Sequence, residues 1–162
     1  MPIQSNRFLS IDPSLRNMGW VARSGDALLG MGLIRGPREG EWVERIAQLK
    51  DAVLKAFNQY ACCYVVIELP QKFSGARHDV GVNSEAVQKL YFLVGYITAL
   101  FHGAQIPIFH VRPSQWKGGV SKKITQHRVK RRHGIHVSNH NIADAIGISD
   151  WWVERGCQQY GY

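Results

Sequence analysis

Asp12, Glu68 and Asp144 are the residues of this chain best suited to chemistry. Asp12 closes the apolar run Phe8-Leu9-Ser10-Ile11, and Pro13 follows it. Glu68 closes Tyr64-Val65-Val66-Ile67, with Leu69-Pro70 behind it. Each carboxylate thus sits at the carboxyl end of a predicted strand, and each ladder is stopped by a proline that has no N–H to donate. The plainer reading of Asp12-Pro13-Ser14 is turn chemistry. Recurrence of the pattern argues for more, because parallel neighbouring strands would bring both acids to one sheet edge, where open α/β sheets place their sites. Asp144 lies in a predicted helix three residues after Asn141, so the two share a face. Capping is the plainer account of that pair, since Asn is a good N-cap and an early acid suits the helix dipole. His140 reads equally well as a surface residue. Carboxylate oxygens are hard ligands that suit Mg²⁺ or Mn²⁺ rather than zinc. Two such ions about 3.5–4 Å apart would activate water and stabilise a leaving oxygen, the chemistry of phosphodiester hydrolysis.

The charge pattern points to the same kind of substrate. The chain has 162 residues and a formal net charge of +8. Residues 1–85 carry ten basic and nine acidic side chains, and residues 144–162 carry one and three. Residues 86–143 carry nine basic side chains and no acid. The whole excess therefore lies in one segment, the footprint of a polyanion partner rather than of a merely solvated face.

The elements that must position these residues read as β-β-β-α-β-α-β with further helices behind. Phe8–Ile11, Gly19–Ala22 and Ala27–Ile34 form an antiparallel meander, in which Gly30 and Gly32 weaken the third strand or mark a bulge. Glu39–Tyr60 is a packing helix with the stripe Trp42, Ile46, Leu49, Val53 and Phe57. Tyr64–Ile67 is a strand buried on both faces. Gln71–Val82 is a polar loop whose one large aromatic residue is Phe73. A second helix opens at Asn83-Ser84-Glu85, presents Val87, Leu90, Val94, Ile97 and Phe101, and ends at Gly103. Pro107–Val111 is the fifth strand. Lys117-Gly118-Gly119 is a loop too sparse for a phosphate-binding P-loop. Ser121 caps a helix from Lys122 to His133, closed by Gly134, and this helix carries Lys122, Lys123, Arg128, Lys130, Arg131 and Arg132. Basic residues spread so widely around one helix cannot all be buried, and phosphate contacts explain them economically. The last helix runs from about Asn139 to about Arg155. Its small Ala143, Ala145 and Gly147 allow close packing on a sheet.

At this length the chain is one domain, residues 1–162. Cys62, Cys63 and Cys157 form neither a zinc motif nor a disulfide framework, which fits a reducing cytoplasm. No signal-peptide pattern opens the sequence, and the longest apolar stretch, Leu90–Phe101, is too short to span a bilayer.

With the motifs IDPSLRNMGW, VVIE and HNIADAIGI in hand, nearly the whole chain resembles the RuvC-type Holliday junction resolvases of the RNase H-like superfamily. The stretch WKGGVSKKITQHRVK is similar to that family's basic segment. The resemblance implies an α/β RNase H-like fold: a five-stranded mixed sheet, three antiparallel strands then parallel ones, flanked by helices. It implies a metal-dependent endodeoxyribonuclease of DNA recombination and repair that nicks two strands of a four-way junction symmetrically. The enzyme would act as a homodimer in the cytoplasm, or in the host cytoplasm if bacteriophage-encoded, without a small-molecule cofactor. Asp12, Glu68 and Asp144 would be ligands of Mg²⁺ or Mn²⁺, two ions per site. Lys117 and Lys123 would match the family's basic residues near the scissile phosphate or the DNA backbone; Lys122, Arg128, Lys130 and Arg131 join them as expected DNA contacts on the charge of their helix alone. Phe73 would stand near the family's aromatic wedge at the crossover. One position departs: where the family has Asp or His one turn before the final Asp, this chain has Asn141, with His140 beside it. Either residue would serve as the fourth ligand, or cleavage is impaired. The competing readings are a nuclease for RNA–DNA hybrids, a scaffold that binds junctions without cutting, and an actin-like ATPase. The last lacks room for its second lobe.

Overall fold

The computed structural model describes the backbone of residues 7–70 and 80–159, and the side chains of 7–70 and 85–158. Strand β1 (Arg7–Asp12) is the middle of a five-stranded sheet. On one side it pairs antiparallel with β2 (Asn17–Ser24), which pairs antiparallel with β3 (Ala27–Arg35). On the other side it pairs parallel with β4 (Tyr64–Glu68), and β4 pairs parallel with β5 (Ile108–Val111). The order β3-β2-β1-β4-β5 is the mixed sheet that the sequence predicts.

Side chains alternate across this sheet, and each face has its own helices. Leu9, Ile11, Met18, Ala22, Val65 and Ile67 point to one face. There they meet α1 (Trp42–Gln59) and α2 (Val80–Gly103) through Leu49, Val53, Phe57, Leu93, Ile97 and Phe101. Phe8, Tyr64, Val66 and Val111 point the other way and meet Ile148 and Trp152, while Val21 meets Ala143, Ala145 and Ile146. Helix α5 (His140–Trp151) covers this second face, with α4 (Lys122–His133) packed outside it through Thr125 and Val129. Each such Leu, Ile or Phe removed from water contributes about 1.5–3 kcal/mol, so both faces are firmly held.

Several boundaries differ from the sequence reading. Helix α1 starts at Trp42 and stops at Gln59, inside the predicted 39–60. Helix α2 begins at Val80, so residues 80–82 are helical and not loop. A single turn, α3 (Pro113–Trp116), was not expected; Pro113 at its first position supplies a φ already suited to a helix. Ser121 stands at the N-cap of α4, but its hydroxyl makes no capping hydrogen bond. After α5 the chain continues through a π-helical turn, Trp152–Gly156, and one more turn, Cys157–Gln159, where the sequence predicts a stop before Gly156. Trp152 is fully buried against the sheet and donates its indole N–H to the Tyr64 hydroxyl at 3.2 Å, which keeps the helical backbone pinned there. The expected bulge is present: the β2–β3 register slips between Ala22 and Arg23, opposite Gly30 and Leu28. No helix among the described residues is long and apolar enough to cross a membrane.

Candidate active site

Asp12 and Glu68 follow directly on the Ile11–Ile67 pair of the parallel β1–β4 ladder. Counting by twos from Phe8 and Tyr64, which face α5, places both acids on the α5 face at the carboxyl ends of adjacent strands. Helix α5 brings in the third acid. Its first turn lies directly on β2: a Cβ added to Gly19 would stand 2.0 Å from the Asn141 carbonyl oxygen. Gly19 is the ladder partner of Asp12, so this close approach seats α5 beside the Asp12 end of the sheet. Ser10 fastens the helix further along, donating its hydroxyl to the Ala145 carbonyl at 2.9 Å.

Capping does not occupy the acid of α5. The N-cap is Asn139, whose side-chain oxygen accepts from the backbone N–H groups of Asn141 and Ile142. Asp144 is buried, with 7% of its surface exposed. One of its oxygens, Oδ2, accepts from Lys117 Nζ at 2.7 Å. The other, Oδ1, is buried with no hydrogen-bond partner among the described residues. A buried, unpartnered carboxylate oxygen is costly unless something binds it.

Electrostatics ties the three acids together. Burial, reinforced by the charges of Glu68 and Asp144, holds Asp12 well above the usual carboxylate range, while Lys117 and Lys122 pull it partly back. Burial pushes Glu68 up to about 7, opposed by a hydrogen bond from Trp116 and assisted by Asp144. That bond runs from the indole Nε1 to Glu68 Oε2 at 2.5 Å. Trp116 was not singled out by sequence reasoning. Its signal was its position immediately before Lys117 and just past a strand end, which lets one turn of chain deliver both side chains to the site.

As the side chains stand, no three Asp, Glu, His or Cys groups among the described residues form a ready metal cage. The donor types nevertheless suit a hard divalent cation: two carboxylates at the ends of adjacent strands, and a third on α5 with a buried oxygen that has no partner among the described residues. The remaining expected ligands are less committed. Asn141 donates its amide to the Asn17 carbonyl at 2.7 Å, so its nitrogen fastens α5 to β2 and its oxygen remains. His140 is half-buried at the first position of α5, one turn before Asp144. Phe73 lies outside the described residues.

The basic residues divide into two groups. Lys122, Lys123, Arg128, Lys130 and Arg131 are exposed, while Thr125 and Val129 form the buried side of α4. Arg132, also at the surface, is instead paired within the chain, to Asp26, Asp150 and Glu154. His133 reaches Asp150 at 3.0 Å, and the fully buried Arg23 donates to Ser149 at 3.0 Å and to Asp150. A cleft of about 700 Å³ with Trp116 in its wall opens between α4 and the end of α5, lined by Arg128, Arg131 and Arg155 together with Asp150 and Glu154.

No family model matches the chain, and no curated protein matches its sequence. Solved structures do match. RuvC of Thermus thermophilus in complex with a Holliday junction substrate superposes with a TM-score of 0.72 at 18% identity, covering 93% of this chain and 96% of that one. A second Thermus thermophilus RuvC structure gives 0.70 at 17% identity with the same coverage. The yeast mitochondrial Holliday junction resolvase Ydc2 gives 0.66 at 12% identity, covering 97% of this chain and 83% of that one. The protein thus has the RNase H-like fold in the form that RuvC takes.

Proposed function

We propose that this protein is a metal-dependent endonuclease that resolves four-way DNA junctions by nicking two strands. The observation that carries the reading is the Asp12–Glu68–Asp144 group, with its unpartnered buried Asp144 oxygen, at the edge of a basic segment that contains no acid. The fold it shares with a RuvC solved on a Holliday junction supports the same substrate. Asp12, Glu68 and Asp144 would hold Mg²⁺ or Mn²⁺, with the side-chain oxygen of Asn141 or a nitrogen of His140 as a further ligand. Bound there, two such ions would supply an activated water and neutralise the leaving oxygen. The protein's own part is to orient. Trp116 fixes the Glu68 carboxylate, Asn139 and Asn141 set the entry of α5, and Lys117 brings an ammonium to where a phosphate would lie. Lys122, Lys123, Arg128, Lys130 and Arg131 would contact the sugar-phosphate backbone.

The working unit would be a homodimer, since a two-fold enzyme suits a two-fold junction. Tyr91, Phe92 and Tyr96 are exposed on α2, with Val43 exposed on the neighbouring α1, and offer an apolar surface for a second copy. A site in the cytoplasm accords with DNA as substrate.

A second reading, junction binding without cutting, is favoured by the Asn141 amide committed to the Asn17 carbonyl, where an acid would add charge to the site. One experiment separates the readings. Labelled four-way junction, duplex and RNA–DNA hybrid are incubated with Mg²⁺ and the wild type, Asp144→Asn or Asn141→Asp. Paired nicks in the junction alone, lost in Asp144→Asn, are expected. Hybrid cleavage would replace the substrate, and cutting only by Asn141→Asp would establish the binding-only reading.

A further inference from the structure

Helix α3 is a single turn, yet its last residue and the next one each hold a different acid of the site. Trp116 donates to Glu68, and Lys117 donates to Asp144. The Lys117 ammonium also lies 5.2 Å from the centroid of the Trp116 ring, so the aromatic face and the carboxylate hold it between them. We propose that Lys117 is a built-in counter-ion, which holds Asp144 in the metal-free protein and yields it to an incoming divalent cation. The released ammonium is then free to meet a substrate phosphate. The inference rests on the metal-binding reading of this site.

Three features of the chain argue for exchange rather than a permanent ion pair. First, the charge is incompletely balanced. One ammonium bonds Asp144 at a sheet edge that also carries Asp12 and Glu68, and Asp144 Oδ1 has no partner among the described residues. A divalent ion supplies twice the charge and can reach both oxygens, so it competes on favourable terms. Second, the two occupants exclude each other. A Mg²⁺ binds a carboxylate oxygen at about 2.0–2.1 Å, and an ammonium hydrogen-bonded to that same oxygen would face direct cation–cation repulsion. Third, the lysine can leave. Its stem is flexible, and the residues after it are Gly118 and Gly119 at φ +61° and +77°, a left-handed bend that glycine adopts without strain. Among the described residues, no atom beyond the chain neighbours lies within 4 Å of where a Cβ would stand on either glycine, so the loop has open space there. Trp116, by contrast, packs on Gly147, where an added Cβ would come within 2.6 Å of its ring; the anchor stays while the lysine moves.

The test is metal binding, measured apart from cleavage. Chelator-stripped wild type, Lys117→Met and Lys55→Met are titrated with Mn²⁺, and free ion is followed by electron paramagnetic resonance. Lys55 lies exposed on α1 and serves as the control. Lys117→Met should bind Mn²⁺ about tenfold tighter than wild type, with Lys55→Met unchanged. Equal or weaker binding by Lys117→Met overturns the counter-ion role, and Mn²⁺ bound by none of the three overturns the metal reading itself. A measurement on the unaltered chain guards against a variant that fails to fold. Acetylation of Lys117 by acetic anhydride, read by mass spectrometry, should rise several-fold when Mg²⁺ is added, while that of Lys55 stays constant. A Lys117 rate indifferent to Mg²⁺, in protein shown to bind Mn²⁺, likewise overturns the proposal.

Discussion

On the α1–α2 face of the sheet, Leu9, Ile11, Val65 and Ile67 pack with apolar side chains of the two helices, and towards the β5 edge His110 meets the Thr98 hydroxyl at 2.9 Å. On the α5 face the same strands present Ser10, Asp12, Arg23 and Glu68, and the helix answers with Asp144, Ser149 and Asp150. A strand alternates its side chains, so one six-residue segment serves both purposes, Ile11 in the core and Asp12 in the site. The apolar centre of that face would tolerate volume-conserving exchange, because packing rather than a particular polar partner holds it. The α5 face has no such freedom, since each buried polar group there needs its own partner. Stability and chemistry are thus separated by the thickness of one sheet, and adjacent residues can be used to measure them apart.

The sharpest contrast is Asp12 against its neighbour Ile11. Asp12→Asn should lower junction cleavage by about a thousandfold or more while leaving junction binding nearly intact, because a metal ligand is lost but no phosphate contact is. It should not destabilise the fold, since it removes a carboxylate that burial and two other acids already disfavour. Ile11→Val should do the reverse, costing about 1 kcal/mol in denaturant unfolding with the cleavage rate per folded molecule unchanged. An Asp12→Asn protein that cuts at the wild-type rate would remove Asp12 from the site.

Stability itself should differ between the faces. Arg23 is fully buried and bonded to Ser149, Asp150 and the Gly25 carbonyl. Arg23→Met should cost about 3 kcal/mol, because Asp150 loses the most buried of its three cationic partners, leaving His133 and Arg132, and the Ser149 hydroxyl loses a buried N–H donor. Ile97→Val on the apolar face should cost about 1 kcal/mol. Equal losses in urea melts would mean that the polar network of the α5 face holds nothing the packing does not.

Much of this division was legible in the sequence. The strands, their order and the acids at two strand ends follow from short apolar runs stopped by prolines, a local signal. The partner of each acid was not legible. Trp116 reaches Glu68 across 48 positions, and Arg23 reaches Ser149 and Asp150 across more than a hundred, contacts that only the packed helices create. Arg23 in particular reads as an ordinary strand-end charge, since periodicity marks faces for apolar residues and is silent on a buried cation. The role of Asn139 was blurred by its neighbours. Asn141, two residues on, is as good an N-cap by type, and only the geometry selects Asn139 and so releases Asp144.

The acids also make the two faces differ in their response to pH. Glu68 titrates near its ordinary 4.5 when unfolded and at about 7 when folded. Between these values the folded chain binds more protons, so the stability of the metal-free protein should fall as pH rises through that window. The contribution is fully present below about pH 4.5 and gone above about pH 7. Asp12, also raised, acts in the same direction. Glu68 alone should contribute on the order of 3 kcal/mol across that window. Glu68→Gln should flatten much of that slope in chelator-treated protein followed by thermal melts. An unaltered slope would assign the pH dependence elsewhere.

The smallest effect belongs to the outer helices, where α4 over the α5 face can be set against α1 over the other. Lys123 is exposed on α4, and Lys55 is exposed on α1. Neither should alter folding stability when replaced by Ala, since exposed charges contribute little. Their effect on DNA should differ. If Lys123 meets one phosphate, Lys123→Ala should lower the slope of log affinity against log salt by about 0.9 and weaken junction binding several-fold at moderate salt. Lys55→Ala should leave both unchanged. A salt slope that shifts equally for the two would show only that net charge attracts DNA. A shift confined to Lys123 would make the basic helix beside the acids the contact surface, and would tie the charged half of the molecule to its reactive half.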